Sequence, residues 1–427
     1  MKNKVEKNVN RYMGLLIRQK RLEQNLSQEG LCQGICVVSY LSKIEQGKVN
    51  PSVEIVEQLF AVLGISFVTD EEKIEQLRRL LQEYFDHFFH EEDTKEVAEA
   101  IEKEQSYYEN SELNLSWQLF CIYRTVKLEE ENFSEETDRK LSELNKLQIY
   151  MTKNQLFLLG ILLGNNQKLS FEQRMHWFQV AGQQISGSYV LTQQGHLCFK
   201  EGNYLEAVHY LELAYQMAAE EGNANMLLDS SFLIATCYAN HDIENMKRYY
   251  RRTIELARVI RPELMYSIYY NIGATYVEYG YYEEAVENFC KVEKLLDERD
   301  PKKKEELDWL LLYHKLAFSY IQLGRKDLGE KYLYAAKECI SENTNETIIK
   351  MLRVIELRLQ DDFMEQPEYE SLLKEVYETA GKTLGYGFKV YHGRYLVELY
   401  KAKRRYKEAL EITEKLNGII DFPKIND

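Results

Sequence analysis

The sequence predicts an all-α protein in which a helix-turn-helix head is followed by a right-handed α-solenoid of stacked helix pairs. Three observations predict this fold. Only 5 prolines and 21 glycines interrupt 427 residues. Apolar residues recur at helical spacing along most of the chain, and one twenty-residue pattern occurs three times without gaps. We expect the head at residues 1–66, a linker at 67–73 and the solenoid at 74–427.

Charge is divided unevenly between these parts. Residues 1–66 contain nine Lys or Arg and six Asp or Glu, whereas the whole chain has a net charge of −15. A weakly basic head on an acidic body would confine a polyanion to one end. Because one weakly charged head would bind a polyanion weakly, the small charge also favours a dimer with two heads.

Cysteine usage and hydropathy exclude several classes of protein. The seven cysteines are odd in number and form no CxxC pair, so neither a zinc site nor a disulfide framework is predicted. No cofactor is expected. The sequence has no apolar run of membrane-spanning length and no signal peptide, which favours a cytoplasmic protein.

The first and last helices of the head are predicted from their apolar spacing. The first covers about Val9–Gln24, with an inward side made of Tyr12, Leu15, Leu16, Gln19 and Leu22. The fourth runs from Ser52, a capping residue, to about Leu63. Its predicted inward residues are Val53, Val56, Leu59, Phe60 and Leu63.

Between them, residues 27–52 read as two short helices joined by a tight turn. Ser27 is the predicted N-cap of a helix that begins at Gln28 and turns Leu31 and Ile35 inward. The next helix buries Leu41 and Ile44, and ends at Gly47. Such a pair of helices suits the DNA major groove.

The head resembles the lambda-repressor-like (Xre/Cro) helix-turn-helix family over about residues 10–66, on RQKRLEQNLSQ, LSKIEQGKVNPS and LFAVLGI. Arg21 and Glu45 match a pair that joins helix one to helix three in that family. The resemblance implies base or backbone contacts to DNA by Gln28, Val38, Ser39, Tyr40, Lys43, Lys48 and Asn50. Lys43 could donate to guanine, whereas Lys48 and Asn50 are better placed for phosphates. The alternative for Tyr40 and Lys43 is a solvated helix face.

The turn inside this motif departs from the family pattern. From Gln28 to Leu41 the chain is one residue shorter than usual, and Ile35-Cys36 stands where the family has a glycine turn. A small apolar turn residue is the simplest interpretation of Cys36.

The solenoid is predicted from internal repeats. Residues 195–214, 273–292 and 317–336 superimpose without gaps, with small residues where two antiparallel helices would approach closely. The pattern resembles the tetratricopeptide repeat. Weaker copies occupy residues 233–257, 348–384 and 396–416, and residues 70–186 are predicted to form three further helix pairs whose repeat pattern has decayed.

The repeat resemblance implies that the first helix of each pair lines a concave, peptide-binding face. The residues that we expect to contact a peptide are Gln193, His196, Lys200, Phe232, Thr236, Asn240, Tyr270, Asn271, Glu278, His314, Gln322 and Arg394. Asn271 and Asn240 suit the amide groups of an extended peptide best. The alternative for each residue is ordinary packing between repeats.

Support for catalysis or metal binding is weak. His87 and His90, with Glu83 and Glu91, lie on neighbouring helical turns and could hold a metal, but a third clear ligand is missing and a solvated helix end is the simpler interpretation. The sequence shows neither a phosphate-binding loop nor a nucleophile elbow. We expect a protein that is not an enzyme.

The head with its shortened turn, joined to a repeat solenoid, resembles the RNPP family, and on ICVVSYLSKIEQG and chain length the NprR-like branch most. The resemblance implies a dimeric transcription regulator that binds DNA and whose solenoid binds a short signalling peptide in quorum sensing. Two alternatives remain. The solenoid could capture a response-regulator protein, or the chain could be a constitutive repressor whose repeats serve only dimerisation.

Overall fold

The computed structural model describes residues 2–68, 70–128, 133–239, 242–298, 306–384 and 386–416. Within these ranges the chain forms twenty-three α-helices and no β-strand, which confirms the all-α prediction. The chain divides into two compact units, residues 1–233 and 234–427.

The first unit begins with the four helices of the head: α1 (Lys2–Glu23), α2 (Gln28–Cys32), α3 (Val38–Glu45) and α4 (Val53–Val62). Helices α5 to α9 follow: Glu71–Phe89, Lys95–Lys103, Gln105–Glu109, Asn114–Leu128 and Glu135–Asn145. Helices α10 to α13 are Lys153–Asn165, Phe171–Gln184, Ser188–Lys200 and Tyr204–Glu221.

The second unit begins within α14 (Ala224–Tyr238) and continues as antiparallel helix pairs. Its remaining helices, α15 to α23, are Ile243–Ile260, Met265–Glu278, Tyr282–Asp297, Glu306–Gln322, Lys326–Glu338, Glu346–Arg358, Pro367–Thr383, Tyr386–Ala402 and Tyr406–Leu416. The strong and weak repeat copies predicted from sequence therefore form helices.

Close packing inside the repeats has the predicted cause. A Cβ atom added to Gly195 would lie 2.5 Å from Leu211 Cγ, and one added to Gly273 would lie 2.6 Å from Phe289 Cε1. Each glycine therefore makes room for the large side chain of the partner helix. The turn glycines Gly202, Gly280 and Gly324 have φ of 80°, 77° and 72°, in the left-handed region that favours glycine.

The buried face of α1 differs from the prediction. Tyr12 and Leu16 are buried as expected, together with Met13, Ile17 and Arg21, whereas Gln19 and Leu22 are exposed. The reason is the approach of α3, because a Cβ on Gly14 would lie 1.9 Å from the Ile44 carbonyl oxygen. The close contact turns the Gly14 side of α1 inward. The helix also begins before Val9.

The remaining helices of the head follow the prediction with local differences. The hydroxyl of Ser27 accepts a hydrogen bond from the Gly30 N–H at 2.9 Å, so the predicted cap is confirmed. Helix α2 ends at Cys32, which leaves Ile35 outside it and half-buried. The left-handed residue of the turn is Gly34, with φ of 77°, so the turn does contain a glycine, just before Ile35-Cys36.

Helix α4 shows two further differences. Val53 is 58% exposed rather than buried. The side chain of Ser52 makes no hydrogen bond that caps the helix backbone. The predicted inward positions Val56, Leu59, Phe60 and Leu63 are all buried.

Candidate functional site

Helix α3 presents a continuous outer face. Leu41 and Ile44 are fully buried beneath it, while Val38 is 41% exposed and Ser39 and Lys43 are exposed. Tyr40 is half-buried at the edge of this face. Lys48 and Asn50 follow the helix and are both exposed. The structure therefore brings these six predicted DNA contacts to the outside of the head.

The inner side of the same helix is held by a buried ion pair. Arg21 Nε and Nη2 donate to Glu45 Oε1 and Oε2 at 2.7 and 3.0 Å, and Arg21 Nη1 donates to the Leu26 carbonyl oxygen at 2.7 Å. This confirms the contact expected between helices one and three. The hydrogen bond to Glu45 raises the pKa of Arg21.

Gln28 belongs to the same network. Its Nε2 donates to Glu45 Oε2 at 2.7 Å, so one amide N–H of this predicted phosphate contact is used inside the head. Helices α1, α2 and α3 therefore meet at one carboxylate, which sets the angle of the exposed face.

The first unit also contains a cavity of about 570 Å³, next to α12. Four residues predicted to contact a peptide line it together: Gln193, His196, Lys200 and Phe232. A volume of this size lies within the range of roughly 300–1,000 Å³ typical of ligand sites. The repeat pattern therefore located one wall of a real cavity.

The other walls were not predicted. They come from residues on α5, α8, α10 and α11, among them Phe88, Tyr123, Ile161, Asn165 and Arg174. The repeat pattern has decayed in this part of the chain, so no register assigned these residues to the concave face. Arg174 is half-buried in the first turn of α11, and the sequence around it carried no signal that would have found it.

Charges of both signs line the cavity. Arg174 Nε donates to the Gly164 carbonyl oxygen at 2.9 Å, and burial lowers the pKa of Arg174. Burial also raises the pKa of Tyr189, and the carboxylates of Glu91 and Asp229 add to that rise. The cavity thus combines apolar walls with acidic and basic side chains.

The other predicted peptide contacts belong to the second unit, where two of them, Glu278 and Arg394, are in contact. Arg394 Nη1 lies 3.6 Å from Glu278 Oε2 and donates to the Glu278 carbonyl oxygen at 3.2 Å. Lys315 Nζ lies 3.2 Å from the centre of the Tyr391 ring. Burial lowers the pKa of Lys315 to about 7 and raises that of Glu278.

The remaining members of the predicted set differ in accessibility. Asn271 Nδ2 donates to the Ser267 carbonyl oxygen at 2.8 Å, and the Tyr270 hydroxyl is buried without a hydrogen-bond partner among the described residues. His314 is only 1% exposed and lies in the core. Thr236 and Gln322 are half-buried, and Asn240 lies outside the described residues.

The histidines considered for a metal site have other partners. His87 Nδ1 lies 2.7 Å from Glu92 Oε2, and His90 Nδ1 lies 2.8 Å from the Asp86 carbonyl oxygen. Across the part of the chain that the structure describes, no three His, Cys, Asp or Glu side chains are grouped to hold a metal. None of the described helices is long and apolar enough to span a membrane.

Comparison with known families confirms both sequence resemblances. Residues 17–69 match the helix-turn-helix family, and residues 188–221 and 266–295 match the tetratricopeptide repeat. No curated protein sequence matches the chain.

Solved structures show the same architecture. A Rap protein complexed with Competence and Sporulation Factor aligns over 80% of this chain and 96% of its own, at 15% identity and a TM-score of 0.59. The apo quorum sensor NprR from B. thuringiensis aligns over 80% and 98%, at 15% identity and a TM-score of 0.60. This chain therefore shares the fold of these Rap and NprR structures. NprR in complex with its cognate peptide NprX aligns over 83% and 92%, at 16% identity and a TM-score of 0.50.

Proposed function

We propose that this chain is a DNA-binding transcription regulator whose helical repeats bind a short signalling peptide, in the manner of a quorum-sensing receptor. The single observation that carries the proposal is the pairing, within one compact unit, of the exposed α3 face and the cavity beside α12. NprR and Rap proteins of this fold bind a cognate peptide and Competence and Sporulation Factor, respectively. The proposed partners are an operator duplex, the peptide and a second copy of the chain.

Helix α3 suits the major groove because its outer face combines a donor, a hydroxyl and an apolar side chain. Lys43 can donate to guanine O6 or N7, Ser39 to a base edge or phosphate, and Val38 can contact a thymine methyl group. Lys48 and Asn50 flank the helix at positions suited to phosphate oxygens. Gln28 retains one amide N–H for a phosphate.

A gel shift on the DNA upstream of the gene tests the proposal. Peptides encoded by a small neighbouring open reading frame would be added, and the oligomeric state followed by light scattering. We expect DNA binding that changes with the peptide. Identical affinity and oligomeric state with and without every peptide would contradict the regulatory part, and no DNA binding at all would contradict the first part.

Capture of a response-regulator protein is the second candidate, favoured by the similarity in fold to Rap proteins. Purified response-regulator receiver domains from the source cell would be tested for binding to the full chain and to a Lys43→Ala/Lys48→Ala variant. Binding that survives loss of DNA affinity supports this candidate. Absence of binding to every receiver domain argues against it.

A further inference from the structure

A small internal pocket lies within the second unit, between α18, α20, α21 and α22. Its volume is about 10 Å³, which is space for one particle of about the size of a water molecule. The walls combine apolar side chains with polar ones, among them His314, Arg358 and Tyr391. The pocket therefore suits a single small guest with polar contacts.

These three side chains each contain a buried polar atom that has no hydrogen-bond partner among the described residues. The atoms are His314 Nδ1, Arg358 Nε and the Tyr391 hydroxyl oxygen. The side chains are 1%, 7% and 2% exposed, so bulk solvent does not reach them. A buried polar atom without a partner is destabilising, because it has lost its water and gained no hydrogen bond. Since all three residues line one pocket of this size, one shared guest can satisfy them together.

Arg358 brings a buried positive charge to the pocket. Its Nη1 donates to the hydroxyl of Tyr369 at 2.6 Å, which is a neutral acceptor. In the part of the chain that the structure describes, no carboxylate oxygen lies within 4.0 Å of its guanidinium nitrogens. The carboxylate of Glu278 is directed elsewhere in this core, since it acts on Lys315 and lies 3.6 Å from Arg394.

Aromatic rings offset part of the charge on Arg358. The centres of the Phe318, Phe363 and Tyr395 rings lie 4.9, 5.0 and 4.8 Å from its guanidinium carbon. Arg358 is also the last residue of α20, where the helix dipole favours a cation. Ring faces attract the cation, but they give the Nε–H group no hydrogen-bond acceptor. A negatively charged acceptor is therefore the partner that this group lacks.

We propose that the pocket binds one monatomic anion, of which chloride is the abundant one in cells, through Arg358 Nε, the Tyr391 hydroxyl and His314 Nδ1. Each group can donate a hydrogen bond, His314 in its Nδ1–H tautomer. A water molecule fits the space but carries no charge to set against the guanidinium. An oxyanion such as sulfate has too many heavy atoms for the space. The proposal concerns the second unit alone and does not depend on the proposed function.

Amide exchange of the full-length protein tests the proposal. Sodium gluconate would be replaced stepwise by sodium chloride or sodium bromide at constant ionic strength. Because the anion binds only the folded pocket, protection of α18, α20 and α22 should rise with either halide, with a logarithmic slope that approaches about one.

The amides of α1–α4 are the internal control, since general effects of the salts on stability act on every helix. They should not show the rise. Equal protection of α18, α20 and α22 in gluconate and in both halides would overturn the proposal.

Tyr391→Phe tests the assigned contact, because it removes only the hydroxyl group. The halide concentration that gives half of the protection should rise about tenfold, as expected for the loss of one hydrogen bond to a charged partner. Tyr400→Phe is the matched control on the same helix, at a buried position outside the lining, and should respond like the wild type. The same halide response in both variants would contradict the assigned site.

Arg358→Gln removes the charge and keeps an amide donor, so the halide dependence should disappear. If this variant does not fold, Tyr391→Phe decides alone. Crystals of the full-length protein grown with sodium bromide then locate the ion, and one anomalous bromine peak in contact with Arg358 Nε is expected. Density at that point without an anomalous signal identifies water and refutes the proposal.

Discussion

At the scale of single residues, the ion pair of Arg21 and Glu45 joins the helices of the head. Their side chains are 9% and 2% exposed, and three hydrogen-bonding groups from α1 and α2 converge on the carboxylate. Removing one partner of a buried ion pair leaves the other charge buried and unpaired. The resulting loss of folding free energy is far larger than the contribution of the intact pair.

We therefore predict that Arg21→Met lowers the free energy of unfolding of the head by about 3–5 kcal/mol. Chemical denaturation and amide exchange of α1–α4 measure the loss. The double variant Arg21→Met/Glu45→Leu, which also removes the isolated carboxylate, should recover most of it. A single variant as stable as the wild type would contradict this role of the pair.

Lys43 and Lys48 should affect DNA binding differently if the proposed function is correct. Lys43→Ala should relax the preference for one base pair, at a cost of about 1–3 kcal/mol on the preferred operator. Lys48→Ala should weaken binding to all duplexes alike and reduce the salt slope by about one. Fluorescence anisotropy at several salt concentrations measures both.

Lys146→Ala, an exposed change on the helical body, is the control for the charge lost. If Lys43→Ala and Lys48→Ala changed specificity and salt slope in the same way, the assignment of base and phosphate contacts would be wrong.

At the scale of secondary-structure elements, the backbones of helices α1 and α3 are in direct contact. A methyl group on Gly14 would overlap the Ile44 carbonyl oxygen at 1.9 Å, and a backbone atom cannot move aside as a side chain can. Gly14→Ala should destabilise the head by at least the ~1–3 kcal/mol typical of overpacking. Under the proposed function, Gly14→Ala should also abolish DNA binding. Chemical denaturation measures the loss of stability, and a gel shift measures the loss of DNA binding.

Gly182→Ala is the matched control, because its Cβ would meet only Val190 Cγ1 at an ordinary 3.6 Å. Alanine within a helix is favoured over glycine by about 0.5–1 kcal/mol, so this variant should be neutral or slightly more stable. Equal effects of the two variants would show that the interhelical contact is not the cause.

Helices α18 and α22 share a core that contains two buried histidines. His314 and His392 are 1% and 2% exposed, and Lys315 and Arg358 are the charged groups that act on His392. Burial lowers the pKa of His392 to about 3 and that of His314 well below its usual value. Both therefore stay neutral in the folded chain at pH values where the unfolded chain protonates them.

This difference predicts loss of stability on acidification. Below about pH 6.5 the unfolded state binds protons that the folded state does not, so each histidine removes up to about 1.4 kcal/mol per pH unit. His392→Gln should remove its share of the loss between pH 7 and pH 5, followed by denaturation and by amide exchange of α18 and α22. His209→Gln, at an exposed position, should leave the loss unchanged.

At the scale of the whole first unit, helix α8 connects the head to the cavity. Near its N-terminus the Asn114 Oδ1 accepts a hydrogen bond from the Tyr12 hydroxyl of α1 at 2.5 Å, and Gln118 Nε2 lies 3.3 Å from the same hydroxyl. About three turns further on, Tyr123 and Val126 line the cavity. A ligand that moves α8 therefore acts on the attachment of the head.

Tyr12→Phe tests this connection. The variant should lose about 1 kcal/mol of stability, because a buried hydrogen bond is removed while the ring remains. Under the proposed function it should bind DNA normally without peptide and respond less to it, measured by gel shift with a peptide titration. Leu22→Ala, an exposed change on α1, is the control. An unchanged peptide response would contradict transmission through Tyr12.

The sequence alone determined the local features of this protein, because they depend on neighbouring residues. The cap at Ser27, the buried Leu41 and Ile44, and the small-to-large pairing of Gly273 with Phe289 all follow from short-range spacing. The helix-turn-helix head and the helical repeats were predictable for the same reason, since both patterns are local.

Only the tertiary structure decided which face of α1 is buried, because Gly14 and Arg21 gain their roles from α3, which comes later in the chain. It alone assembled the cavity, whose walls reach from Phe88 to Leu233 and lack a shared repeat register. It also buried His314, which the groove pattern had placed on an open face. Contacts between residues far apart in sequence leave no periodic pattern in the sequence. They can therefore be identified only in the folded structure.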